Sequence, residues 1–399
     1  MNRREFIRSA GALAFLTIAP AYRRLGASDD KSLVIEDAYS MWYNRPALAE
    51  TTGGFCLGYI SSSGEIIVAT ISEALEVVTR TTLHKFHSGS DHGSPAVITI
   101  PSGKHAGRVL ACFSNHSSPL LSARSNSKNL LEPWDAVRTV DSGRSTYASM
   151  CALHDGRVML MHTLQDRAGS TDATEWRKTV VRTTDDGGDS WTQPLVLASY
   201  GPGTFPYSTA LAISDSGKLS MAYAVYRSKE KRHDGLRVIY SSDSFLTRCE
   251  IDVDIPEIEG HDTVPFETRW ISENLIAVSY SKIGTTPGSA SSRLVLIEID
   301  SESRISDTLV ADVEFHSYAG GASISEDGDY ALYSPLGGGL VLKNIISGSI
   351  RPVISGGDFS SPSLIKIHGV QHVVALKNPK VVTTLNFSSD VIVKKIAML

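Results

Sequence analysis

The densest group of residues able to do acid–base chemistry lies between positions 87 and 118. It reads His87-Ser-Gly-Ser-Asp91-His92-Gly-Ser-Pro-Ala96 and then Ser114-Asn115-His116-Ser-Ser118. His92 stands where an apolar run begins. His116 stands just past the run Arg108-Val-Leu-Ala-Cys-Phe113, which follows a Ser-Gly103 turn. If the two runs form a hairpin, both imidazoles come to the same end of one sheet. Imidazole titrates near neutrality, so such a pair can move a proton or hold an anion. Asp91 and Asn115 flank the pair and are candidates for binding substrate. Tyr147 (Ser-Thr-Tyr-Ala-Ser) and Tyr207 (Phe-Pro-Tyr-Ser-Thr) take the place of His92 in two later runs. Either phenol can supply a proton, and either can simply pack a wall. Arg227, after Tyr226, is the arginine best placed to hold a carboxylate or sulfate. His261 and His316 begin further runs and are also candidates for touching substrate, whereas His154 and His372 read as structural. There is no HxxxH or CxxC pair and no carboxylate cluster, so no catalytic metal or cofactor is expected. A structural calcium or zinc stays open.

Residues so scattered along a chain need a scaffold that returns repeatedly to one place. Short runs rich in Val, Ile, Leu and Tyr recur throughout, separated by Gly, Ser, Asp and Asn, while helical periodicity is nearly absent. Several runs follow one module: an apolar strand, a turn carrying Gly, and a second strand, with turns at Gly64, Gly103, Gly156, Gly217 and Gly328. Modules start near Thr51, His92, Tyr147, Tyr207, Thr263, Tyr318 and Phe359. That spacing is in the range of propeller blades. The expected fold is therefore all-β, a seven-bladed β-propeller forming one domain over 28–399. The stretch 34–50 is expected to join the C-terminal strand and close the ring, removing exposed edges.

One turn carries a specific pattern. Thr184-Asp-Asp186-Gly-Gly188-Asp-Ser190-Trp191 matches the Asp-box of sialidase-like propellers, in which glycines take positive φ and an Asp side chain bonds turn amides. Ser241-Ser-Asp243-Ser-Phe245 looks like a degraded copy. The motif is structural and says nothing of chemistry.

The N-terminus opens with Arg3-Arg4-Glu-Phe6-Ile7 and continues through the apolar run 9–21 to Ala19-Pro20-Ala21. A basic start, a short apolar stretch and a small-x-small end read as a signal peptide over 1–27, of twin-arginine type. The protein is accordingly expected in the periplasm or secreted, with no membrane anchor once the signal is removed. Residues 1–27 hold five arginines and one glutamate, so the remainder carries net −9 against −5 for the 399-residue chain. A broad nucleic-acid-binding face is excluded by that balance. An anionic substrate would need locally placed cations. Cys56, Cys112, Cys151 and Cys249 show no metal-type pairing; three sit in apolar runs and read as buried thiols, with one disulfide left open.

Asp91-His92-Gly-Ser-Pro-Ala, the Gly103 turn and Ser-Asn-His116 resemble the second blade of the BNR-4 propeller family, which includes ulvan-lyase-type polysaccharide lyases. Thr51–Thr70 resembles its first blade and Pro133-Trp134 its post-hairpin Trp, so the resemblance covers about 35–245. It implies a carbon–oxygen lyase acting by β-elimination on a uronate-containing, ulvan-like acidic polysaccharide, sulfated or unsulfated, as a monomer. It further implies that His92 and His116 share proton transfer and carboxylate binding, with Tyr147 or Tyr207 as the acid. The family's arginine after the first tyrosine is missing, because that strand ends Met161-His162-Thr163. Two other readings compete: a sialidase-like glycoside hydrolase, whose arginine-bearing opening is absent here, and a non-catalytic glycan-binding propeller.

Overall fold

The computed structural model describes residues 31–39, 47–87, 92–128, 133–166, 174–284, 290–299, 303–313, 321–335, 338–378 and 388–397. The expected signal peptide and the candidates Asp91 and His316 lie outside these residues. Among the described residues every regular element is a strand.

The strands pair antiparallel, almost always with the next in sequence, into six sheets. Five of them span 47–85, 96–199, 204–252, 262–313 and 323–354. In the sixth, Ser32–Tyr39 pairs with Ser388–Lys395 beside two strands between 358 and 378. The burial of each strand follows its composition. Gly54–Ile60 (GFCLGYI) is buried at every position, while Val77–Lys85 (VVTRTTLHK) has every second residue exposed over most of its length. Strands buried on both faces read as continuous apolar runs, and edge strands alternate.

Sheet 96–199 has seven strands because the 15-residue strand Arg138–Ala152 pairs with Ser118–Arg124 on one side and Val158–Asp166 on the other. Its two halves nevertheless face each other across a cluster of their own, with Ile100, Leu110 and Cys112 against Val158 and Leu160. Comparable clusters join each sheet to the next. One more, in which Phe55, Leu57 and Ile71 pack on Val374, Val391 and Val393, joins the last sheet back to the first. The sheets thus close on themselves in a propeller-like arrangement. Closure uses only part of the expected stretch: Ser32–Tyr39 pairs with the C-terminal strand, whereas Ala47–Thr51 starts the next sheet. On the axis lies a cavity of about 620 Å³ lined by innermost strands, including Ser94, Tyr147, Thr209, Glu267 and Arg269.

The Asp-box turn is built as its residue types require. Asp186 accepts hydrogen bonds from Thr184 Oγ1 (2.7 Å), from Ser190 N–H (3.0 Å) and from Ser190 Oγ (2.5 Å), and Gly188 N–H donates to Thr184 Oγ1 (2.9 Å). The supposedly degraded copy has the same bonds, with Asp243 receiving Ser241 and Thr247 and Phe245 N–H donating to Ser241 Oγ. Phe245 takes the place of Gly188 at φ 66° and is fully buried, so core packing offsets its left-handed backbone. Gly188 has no such freedom: at φ 92°, an added Cβ would lie 2.9 Å from Leu110 Cδ1. Gly188→Ala should therefore destabilise the fold by about 1–3 kcal/mol, read as a lower urea midpoint at unchanged slope. Cys56, Cys112 and Cys151 are buried free thiols, and burial pushes the Cys151 thiol up to about 12; Cys249 is exposed.

Candidate functional site

Five ring contacts at one end of the strands form a continuous aromatic and imidazole path. The His116 and His92 rings stack with centroids 4.1 Å apart, and His92 lies 4.9 Å from Tyr147. Tyr147 lies 6.1 Å from Tyr207, Tyr207 4.9 Å from His233, and His233 4.7 Å from Tyr226. The hairpin geometry expected from sequence holds: His92 precedes Ala96–Thr99, His116 follows Val109–Phe113, and these strands pair. Both tyrosines lie on innermost strands of the following units and come to the same mouth.

Local structure aims each group. Asn115 acts on His116 through the backbone: its Oδ1 accepts the His116 N–H at 2.7 Å, and its own N–H donates to Ser118 Oγ at 2.7 Å. The adjacent Ser117 bonds Gln165 through its hydroxyl. Thr146 Oγ1 donates to the His92 carbonyl at 3.3 Å. Tyr147 sits in a β-bulge, since the register passes from Met161↔Ser149 to Thr163↔Thr146 and leaves Tyr147 and Ala148 across from His162. Its φ of 57° is a left-handed conformation for a bulky residue. Bulges re-aim side chains, and strain of this kind gathers at functional sites.

A buried cation stands at the site, Arg177, which sequence reasoning did not single out. Its Nη1 donates to the Tyr207 hydroxyl at 2.7 Å and its Nε to Glu175 Oε1 at 2.6 Å, while the guanidinium stacks 4.5 Å from the Phe205 centroid. Glu175 is fully buried. Burial opposes the Arg177 charge, but the Tyr207 oxygen, the Glu175 hydrogen bond and the nearby Tyr147 outweigh it and hold the pKa above the ordinary arginine value. Arg177 stands directly across the ladder from Gln165, one strand beyond the place where the family's arginine is missing. His233 was likewise unforeseen. Its ring lies between Tyr207 and Tyr226, with Nδ1 3.4 Å from Asp262 Oδ2, and its backbone N–H donates to Asp262 Oδ1 at 3.2 Å.

Two candidates stand elsewhere. Arg227 follows Tyr226 in an extended strand, so its side chain leaves by the opposite face. It is half exposed and pairs with Asp234 at 2.6 Å, away from the ring path. His261 Nδ1 lies 3.1 Å from the Glu259 carbonyl, and it is the neighbouring Asp262 that reaches the site. Among the described residues no group of three or more His, Cys, Asp or Glu could hold a metal ion.

His162, across from the bulge, is 1 % exposed. Burial, then the Arg182 charge, lower its pKa to about 4, partly opposed by Asp141. The unfolded imidazole protonates near 6.5 and the folded one only near 4, so the unfolded state binds more protons between these values. Stability contributed by this residue is thus complete above pH 6.5 and falls by up to about 3 kcal/mol as the pH drops to 4. Urea midpoints measured from pH 7.5 to 4.5 should fall less steeply in His162→Gln than in the native protein.

No protein-family model matches the sequence, and no curated protein does. Solved structures do match. The crystal structure of the polysaccharide lyase Uly1 aligns with TM-score 0.61 at 11% identity, covering 92% of this chain and 98% of that one. A PL25 ulvan lyase bound to GlcA(1-4)Rha3S aligns with TM-score 0.64 at 9% identity, covering 90% of this chain and 94% of the other. At such identity the likeness is one of fold, and it extends over nearly the whole of each chain.

Proposed function

We propose that this chain is an exported polysaccharide lyase that cleaves a uronate-containing, ulvan-like polysaccharide by β-elimination on a seven-bladed propeller. The blade count takes the two halves of sheet 96–199 as separate blades, since each half packs on the other as the remaining sheets do. The observation that carries the chemistry is the convergence of His92, His116, Tyr147 and Tyr207 with the buried Arg177 at one mouth.

The C5 proton of a uronate is very weakly acidic until its carboxylate is neutralised. The exposed His116 and the neighbouring His92 suit that task in a chain otherwise acidic. An imidazole of the pair takes the C5 proton, the C–H electrons form the C4–C5 double bond, and the C4–O4 bond breaks. Tyr207 donates its proton to the departing O4, because the phenolate left behind is stabilised by the Arg177 guanidinium 2.7 Å away. His233, held by Asp262, packs its ring edge-on against Tyr207 with centroids 4.9 Å apart and helps to fix the phenol. A sialidase would need three arginines around one carboxylate; among the described residues the mouth offers Arg177, already engaged by Glu175.

The test is ultraviolet absorbance of the 28–399 protein mixed with ulvan and other uronate polymers, since elimination leaves an absorbing unsaturated uronate. New reducing ends without absorbance would move the assignment to a hydrolase. Retained binding with neither product would move it to a glycan-binding module.

A further inference from the structure

Behind the bulge that carries Tyr147, the interface between the two halves of sheet 96–199 changes character. Deep within it, the alternate residues Leu110 and Cys112 on one side and Val158 and Leu160 on the other form an apolar cluster. Two residues further on, the alternation continues to His162, and Ser114 follows directly on the end of the strand Val109–Phe113. Ser145 joins from the strand between, in register with both Ser118 and Leu164. All three are at most 2 % exposed. Ser114 Oγ, Ser145 Oγ and both ring nitrogens of His162 have no hydrogen bond of good geometry among the described residues, and the Thr163 backbone, which approaches the imidazole, opposes its lowered pKa only slightly.

Buried hydroxyls and imidazole nitrogens are satisfied in folded proteins, by protein atoms or by internal water. A neutral imidazole brings one donor and one acceptor, and each hydroxyl brings both. Four such atoms meet the two to four contacts that an internal water uses. We propose that Ser114, Ser145 and His162 form a polar seat for internal water, and that His162 is thereby a positioning residue for His116 and Tyr147. Ser114 lies two residues before His116 and Ser145 two residues before Tyr147, while His162 faces the bulge itself. One shared water network would tie the turn bearing His116 to the strained backbone bearing Tyr147. Burial and the adjacent Arg182 keep the imidazole neutral, the form that can both donate and accept.

The kinetic half of this proposal rests on the lyase reading; the water seat does not. A high-resolution crystal structure of the unliganded protein should hold ordered water bonded to His162 and at least one serine. His162→Leu should lower kcat about tenfold or more with KM within about twofold, as expected when catalytic groups shift but substrate binding persists. His162→Gln, which can donate and accept in the same space, should recover most of kcat. Protein-filled density at both ring nitrogens, or a leucine variant with native kcat, would overturn the proposal. If the native protein cleaves no uronate polymer, the lyase reading fails while the density still decides the seat.

Discussion

Arg177→Met should abolish measurable elimination and also weaken the fold, and the two losses should be separable. The guanidinium bonds the Tyr207 hydroxyl and the fully buried Glu175 carboxylate at once. Removing it leaves an uncompensated buried charge, which costs about 3–5 kcal/mol. Replacing both partners with apolar residues of similar volume is often neutral. Arg177→Met combined with Glu175→Leu should therefore regain most of the lost stability in urea denaturation. It should not regain turnover, because nothing then stabilises charge on the Tyr207 oxygen; loss of one such donor costs about 100- to 1000-fold in kcat. A double variant that recovers both stability and activity would show that Arg177 serves the fold alone.

Tyr207→Phe carries the next largest expected effect. The ring contacts with Tyr147, His233 and Tyr226 survive the change, and only the hydroxyl is lost. Losing a general acid lowers kcat by about 100- to 10 000-fold. KM should change little, since His92 and His116, the proposed carboxylate ligands, are untouched. The stability change should stay within about 1–3 kcal/mol, the cost of one buried donor left unbonded on Arg177. Steady-state kinetics of Tyr207→Phe beside Tyr147→Phe would also decide which phenol is the acid. An unchanged kcat at 207 with a collapse at 147 would reverse the assignment made above.

Much of the scaffold was legible because strands and turns are local events. Gly-bearing turns, alternating or continuous apolar runs and the Asp-box each declare themselves within a few residues, and the pairing of His92 with His116 followed from one hairpin. Arg177 was not legible for the opposite reason. It reaches Tyr207 from the third strand of the preceding unit, so its role depends on how two units pack, and no spacing in the sequence encodes that. Arg227 drew attention by standing beside Tyr226, yet neighbours in a strand point to opposite faces. His233 was missed because its significance comes from Asp262, a residue across a unit boundary. The second Asp-box was underrated because Phe245 replaces the glycine, and only its burial explains how that turn is kept.

The sheet shared by Ser32–Tyr39 and Ser388–Lys395 makes this molecule a clasped bracelet whose catch joins strands far apart in sequence. Ser32 is in register with Lys394, so the catch cannot snap shut until the residues up to Lys394 have left the ribosome. Until then two sheet edges stay open, and folding must await a contact of very long sequence separation, a slow step for any β topology. A nascent or clipped chain lacking 388–397 would be a strip rather than a ring. The cavity lined by Tyr147 is also lined by Ser363 and Leu364 of the clasped sheet, so loosening the catch should endanger both solubility and the geometry of the site.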